Sequence, residues 1–132
     1  MIVDASVAFK WLIDETGSEQ AVRWSDEEWL VAPTLMRAEV GNALITKVVR
    51  GEISAETASV AFGAVGQFVA EWADAAGLDD DAFAIASELR HPIYDCYYLA
   101  LGQQRHISVL TADRRLIARC AGSRFAERLV TL

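Results

Sequence analysis

An α/β sandwich built on a mainly parallel sheet is the fold class this sequence predicts, on two observations. Short apolar runs alternate along the chain with longer segments of helical period, the pattern of strands joined by helical crossovers. The chain's 132 residues, 53% of them hydrophobic, match one independently folding domain with a substantial core. No internal repeat, linker or low-complexity segment divides it, so residues 1–132 are expected to form a single domain.

The elements follow in order. Ile2 to Asp4 predicts a short buried strand ending on a carboxylate, and Ala5 to Ile13 a helix carrying Val7 and Trp11 on one face. Ser18 to Asp26 fits a second short helix. Trp29 to Ala32 is an apolar run closed by Pro33, a strand leading into a helix that begins near Thr34 and ends at Arg50, where Gly51 stops it. Ser54 is the expected N-cap of a helix reaching about Val69; Thr57 stands where a capping box wants Glu, so that cap is half formed. Asp79-Asp80-Asp81 supplies negative charge to the start of a helix through Leu89, where the helix dipole favours it. Solvated capping explains this triplet better than a metal site does. After Pro92, Tyr94 to Gln104 is helical, Ser108 to Thr111 a strand, Asp113 to Cys120 a helix, and Leu129 to Leu132 an edge strand.

Charge and cysteine usage restrict the function classes. The net charge of −7 argues against a protein that grips polyanions by bulk electrostatics, which needs surface Lys and Arg. The charge is uneven: residues 1–89 carry 5 basic and 16 acidic side chains (net −11), residues 90–132 carry 7 and 3 (net +4). Cys96 and Cys120 form no CxxC motif, and with two histidines they make no zinc spacing; two small buried hydrophobes are expected. Met1-Ile2-Val3-Asp4 opens on a strand-like run with no basic segment, and no apolar stretch is long enough to span a bilayer. A soluble, cytoplasmic protein is therefore expected.

Four acids stand out. Asp4 and Asp113 follow predicted strands and so belong at the carboxyl edge of the sheet, the crevice where open α/β sheets bind ligands. Glu39 lies among Leu35, Ala38, Val40 and Ala43 on an otherwise apolar helix face, and Asp95 lies in the first turn of a helix rich in aromatics. Taken singly, Asp4 and Asp113 are explained as N-caps and Asp95 as first-turn capping. Glu39 resists that reading, because an acid on an apolar stripe is costly without a partner. Grouped carboxylates in a half-buried site cannot all ionise unless a cation joins them or their pKa values rise. Oxygen-only ligands favour Mg²⁺ or Mn²⁺, ions suited to activating water against a phosphodiester.

Four segments in register carry a resemblance: Ile2-Val3-Asp4-Ala5-Ser6-Val7-Ala8, Arg37-Ala38-Glu39-Val40-Gly41-Asn42-Ala43-Leu44, Tyr94-Asp95-Cys96-Tyr97-Tyr98-Leu99-Ala100-Leu101 and Thr111-Ala112-Asp113-Arg114-Arg115-Leu116. In them the chain resembles the PIN-domain ribonucleases, most closely the VapC toxins of toxin-antitoxin pairs, over essentially its whole length. That resemblance implies a three-layer α/β/α sandwich and endonucleolytic cleavage of RNA with Mg²⁺ or Mn²⁺ at the acidic cluster. It makes Asp4, Glu39, Asp95 and Asp113 the metal-site and catalytic acids, with Asp4 and Asp95 the first-ranked ligands. Ser6 and Thr111 take supporting positions, and Asn42, one turn beyond Glu39, faces the same cleft in this reading. It also implies a homodimer neutralised by a small VapB-type antitoxin, for whose contacts Trp11, Trp24 and Trp29 are candidates against the alternative of core packing. Arg114, Arg115 and Arg119 are candidates for steering RNA phosphates, with solvated helix charge the equal alternative.

Three alternatives fit less well. A phosphatase forming an aspartyl-phosphate would want a second acid two residues after Asp4, where Ser6 stands. A receiver domain would need a lysine after a late strand, and the only lysines are Lys10 and Lys47. A non-catalytic module retaining the fold is disfavoured by the presence of all four acids.

Overall fold

A computed structural model describes residues 1–26 and 29–132. The strands are β1 (Ile2–Val3), β2 (Val31–Pro33), β3 (Glu71–Ala73), β4 (Val109–Thr111) and β5 (Leu129–Thr131). The helices are α1 (Ala5–Leu12), α2 (Ser18–Val22), α3 (Leu35–Val49), α4 (Ala55–Ala64), α5 (Asp79–Leu89), α6 (Ile93–Arg105) and α7 (Arg114–Cys120). All strand pairings are parallel, in the order β3-β2-β1-β4-β5.

That order places β1 at the centre, with Ile2 opposite both Val31 and Val109 and Val3 opposite Leu110. Two residues suffice there because both are fully buried and their flanks continue the ladder: Ile2 N donates to Ser108 O at 2.9 Å and Asp4 N to Leu110 O at 3.1 Å. The chain steps outward from β1 through β2 to β3, then returns to β4 and β5. Right-handed crossovers then put α1 to α4 on one face of the sheet and α5 to α7 on the other. Packing agrees: α1 meets α2, α3 and α4, while α5 meets α6, which lies on β1, β2 and β4. Met36, Leu44, Tyr98, Leu99, Leu110, Leu116 and Phe125 are fully buried in the common core. Each large aliphatic so removed from water contributes about 1.5–3 kcal/mol.

Most expected boundaries hold to within two residues. Gly51, at φ 72°, ends α3 as anticipated, its N–H donating to Val48 O at 2.9 Å. Ser54 caps α4 by accepting from Thr57 N at 3.0 Å. Cys96 and Cys120 are buried free thiols. Among the described residues no helix is long and apolar enough to cross a membrane.

Four expectations are corrected. β3 was not anticipated: Glu-Trp-Ala has no aliphatic run and becomes a strand only by pairing with β2, through Ala70 N to Leu30 O (2.8 Å) and Thr34 N to Ala73 O (2.9 Å). The second helix stops at Val22 rather than Asp26, because Trp24 and Ser25 donate three residues back and tighten the chain into turns. The fourth stops at Ala64 and runs on as a 3₁₀ turn over Val65–Gln67. The acidic triplet does more than meet solvent: Asp79 accepts from the Tyr97 hydroxyl at 2.6 Å and Asp81 from Gln104 Nε2 at 2.9 Å, which fastens α5 to α6. Of the tryptophans, Trp11 donates to Ala21 O at 2.7 Å and packs on Phe68, and Trp24 lies against the core; Trp29, 61% exposed, remains at the surface.

Two helical glycines should respond oppositely to alanine. A Cβ at Gly102 would stand 3.0 Å from the Ile107 carbonyl oxygen and 3.1 Å from Val109 Cγ2, where α6 presses on β4, whereas Gly63 has open space around it. Gly102→Ala is expected to destabilise by about 1–2 kcal/mol despite the better helix former. Gly63→Ala is expected to stabilise by about 0.5–1 kcal/mol. Thermal melts of the two variants check both signs.

Candidate active site

The centre of the sheet is where the chain diverges. From β1 it turns toward one face into α1, and from the adjacent β4 it turns toward the other into α7, leaving a crevice between their carboxyl ends. Asp4 closes β1 and Asp113 follows β4, so both acids stand at the lips of that crevice, as their sequence positions implied.

Asp4 is 4% exposed. Its Oδ1 caps α1 by accepting from Val7 N at 3.2 Å and also accepts from Ser6 Oγ at 2.5 Å; its Oδ2 accepts from Thr111 Oγ1. Each hydroxyl reaches further. Ser6 Oγ accepts from Ala112 N at 2.8 Å, and Thr111 Oγ1 from Asp113 N at 3.0 Å. Ser6 and Thr111 thus tie the end of β1 to the loop after β4 through the carboxylate between them. Burial pushes the Asp4 carboxyl up to about 6, partly offset by the hydrogen bonds from Ser6, Thr111 and Val7.

Glu39 reaches the crevice from α3, where its carboxylate accepts from the hydroxyl of Tyr98, a side chain buried on α6. Its carboxyl rises to about 7: burial dominates, the Tyr98 hydrogen bond opposes it, and the charges of Asp95 and Asp4 add to it. The Tyr98 phenol is raised by burial and by the same carboxylate. Asp95 on α6 pairs with His91, whose Nε2 lies 2.6 Å from its Oδ2. Burial raises the Asp95 carboxyl, the His91 hydrogen bond lowers it, and the charge of Asp113 raises it further. Asp113 caps α7, its Oδ1 accepting from Arg115 N (2.7 Å) and Leu116 N (3.2 Å). The four acids therefore share one electrostatic field, Asp95 acting on Asp4 and Glu39, and Asp113 on Asp95.

Two partners in this site were not anticipated, His91 and Tyr98. His91 stands four residues before Asp95, the spacing of neighbours on a helix face, which makes it legible in retrospect. It precedes α6, and its place is set by Arg90, which closes α5 in the left-handed region (φ 49°). Tyr98 pairs with a residue 59 positions away, a contact that no local spacing encodes.

The donor set fits a hard divalent cation. All four acids offer oxygen, and cations lower the cost of crowding anionic carboxylates in a buried place. Among the described residues no three His, Cys, Asp or Glu side chains have the mutual placement of a formed metal cage. Magnesium does not require one, since it is commonly held by one or two carboxylates plus waters and substrate phosphate. Each carboxylate oxygen has two acceptor directions, so Asp4 Oδ2, engaged once by Thr111, keeps one.

The remaining candidates divide. Ser6 and Glu39 line a cavity of about 270 Å³ with Phe9, Lys10 and Ala112. Lys10 and Ala112 also line a neighbouring cavity of about 440 Å³, together with Thr111 and Arg114, so Arg114 stands within reach of the crevice. Arg115 and Arg119 are exposed on α7 and line none of these cavities. Asn42 is exposed on α3 and shares a further concavity with Glu39.

Comparison with known proteins gives the family. The model of the PIN domain matches residues 1–122. Among solved structures, the crystal structure of PAE2754 from Pyrobaculum aerophilum superposes with a TM-score of 0.72, covering 95% of this chain and 80% of that chain at 24% identity, a likeness of fold. No curated protein matches. The PIN fold is generally a nuclease fold. With 122 of its residues matched by that model, the chain belongs to the PIN domain family.

Proposed function

We propose that this protein is a metal-dependent endoribonuclease, a single domain over residues 1–132, that hydrolyses RNA phosphodiester bonds with Mg²⁺ or Mn²⁺. The observation that carries the reading is the shared field of Asp4, Glu39, Asp95 and Asp113 at the divergence of β1 and β4. Asp4 and Asp95 are the first-ranked ligands, with Asp113 and Glu39 completing the set. A bound divalent ion would supply charge neutralisation at the phosphate and a more acidic water.

The chain's own residues do the rest. Ser6 and Thr111 hold Asp4 in one orientation, and His91 does the same for Asp95. Glu39, oriented by the Tyr98 hydroxyl at the edge of the crevice, is placed to take a proton from an attacking water. Arg114, and less directly Arg115 and Arg119, offer positive charge to flanking phosphates. No Ser-His-Asp or Cys-His arrangement is needed, because water is the nucleophile.

The biological role that fits is the toxin of a VapBC-type pair, a cytoplasmic homodimer held inactive by a VapB-type antitoxin. The four segments that resemble VapC toxins support it. Expression of the chain alone should arrest growth, and co-expression of the adjacent small gene should relieve the arrest; growth unaffected in both cases would leave a nuclease without a toxin role.

Three results would check the chemistry. Purified protein should cut RNA with Mg²⁺ or Mn²⁺, and EDTA or Asp4→Asn should abolish cutting; a folded Asp4→Asn protein that still cleaves would overturn the metal site. Thr111→Val, which removes a donor to Asp4 and an acceptor from Asp113 N, should lower metal affinity or activity about 10-fold to 100-fold.

The third is pH dependence. Asp4 (about 6) and Glu39 (about 7) bind protons in the folded state that the unfolded chain, near 3.8 and 4.5, has already released. Metal-free stability is therefore expected to fall as pH rises through that window, from about 4 to about 7. Metal binding displaces those protons, so Mn²⁺ should raise the melting temperature more at about pH 8 than at about pH 5. Melts in EDTA and in Mn²⁺ at the two pH values measure both slopes.

A further inference from the structure

Glu39 also forms a wall of a concavity of about 500 Å³ whose other lining residues are Leu35, Ala38, Asn42 and Ala43 of α3 and Tyr94 of α6. Its chemistry differs from that of the cavity near Arg114. It contains no cation, and its floor is made of small or aliphatic side chains. Two groups in it are uncommitted. Tyr94 is 58% exposed, and neither its ring nor its hydroxyl has an aromatic or hydrogen-bond partner among the described residues. The other two tyrosines are engaged, Tyr97 with Asp79 and Tyr98 with Glu39. The Asn42 side-chain amide likewise makes no hydrogen bond among the described residues; only its main-chain carbonyl accepts, from Thr46.

An uncommitted aromatic face, an uncommitted amide and an apolar floor beside a catalytic acid complement an unpaired nucleobase, which offers a π-face and a hydrogen-bonding edge. A phosphate would find no positive charge here and would be repelled by Glu39. We propose that this concavity is the base subsite of the RNA substrate, with Tyr94 stacking on one unpaired base beside the scissile phosphate and the Asn42 amide contacting its edge. The inference rests on the nuclease reading above and adds the substrate feature it recognises. The backbone of the same strand would then continue past Ser6 and Ala112 toward Arg114, since Glu39 and Ala43 line both this concavity and the one with Ser6, and Lys10 and Ala112 line both that one and the one with Arg114. Lys10 on this track is paired with Glu15 at 2.7 Å, which leaves Arg114 as the cation offered to a phosphate.

The test uses the full chain and short single-stranded RNAs in which 2-aminopurine is placed at successive positions around the mapped cleavage site. Binding in EDTA should quench the fluorescence of one position most. Tyr94→Ala should abolish that quenching and raise Kd or KM roughly 10-fold to 100-fold, with kcat changed less. Tyr94→Phe, which keeps the ring, should restore both, a rescue that a lost hydroxyl contact would not give. Asn42→Ala should broaden the base found at the cleavage ends. Unaltered quenching and KM in a Tyr94→Ala protein that still binds and cuts RNA would overturn the subsite and leave the nuclease reading standing. Failure of the wild-type chain to bind RNA would overturn both.

Discussion

A carboxylate taken almost wholly out of water, Asp4, is the constraint around which this molecule is arranged. It stands where the central strand ends, and its cost of burial is offset by donors from three directions: the first turn of α1, the Ser6 hydroxyl and the Thr111 hydroxyl. Both hydroxyls accept backbone N–H groups of the loop after β4, so the acid's solvation by protein and the joining of β1 to β4 are one arrangement. An apolar side chain in that position would leave the protons of both hydroxyls without their acceptor.

The same arrangement explains why capping does not compete with the chemistry proposed for these acids. Asp4 and Asp113 both cap helices, as an N-terminal acid should, yet capping occupies only part of each carboxylate. Asp113 spends Oδ1 on two helix N–H groups, and Oδ2 has no partner among the described residues. The helix N-termini engage part of each carboxylate and leave acceptor capacity on Asp4 Oδ2 and Asp113 Oδ2. Glu39 and Asp95 arrive there differently, each oriented by a single side chain, Tyr98 or His91, and both reach the site across the core from helices on opposite faces of the sheet.

Electrostatics then divides the surface around the crevice. The acids raise one another's proton affinity, so the centre gains from a cation, while Arg114, Arg115 and Arg119 sit beyond β4 on α7. This would reconcile a net charge of −7 with the polyanionic substrate proposed above. The protein need not be basic overall if the anion meets positive charge only where its backbone passes.

The sequence by itself determined the alternation of strands and helices, the parallel sheet, and the placement of Asp4 and Asp113 at strand ends, because these follow from local periodicity and from residues adjacent in the chain. It marked Glu39 by an energetic contradiction, an acid on an apolar face, without saying what resolves it. Tertiary structure alone decided the rest. β3 exists because β2 offers it an edge, and Tyr98 meets Glu39 because α6 and α3 converge at the crevice. Asp4 becomes a bridge because Thr111, 107 positions away, donates to it, and because Ser6 accepts from the Ala112 amide, 106 positions from Ser6. Pairings over such separations are set by how the layers stack, and no local pattern carries that information. The four acids were legible as candidates; the side chains that hold them, and the charges they share, became visible only in the folded chain.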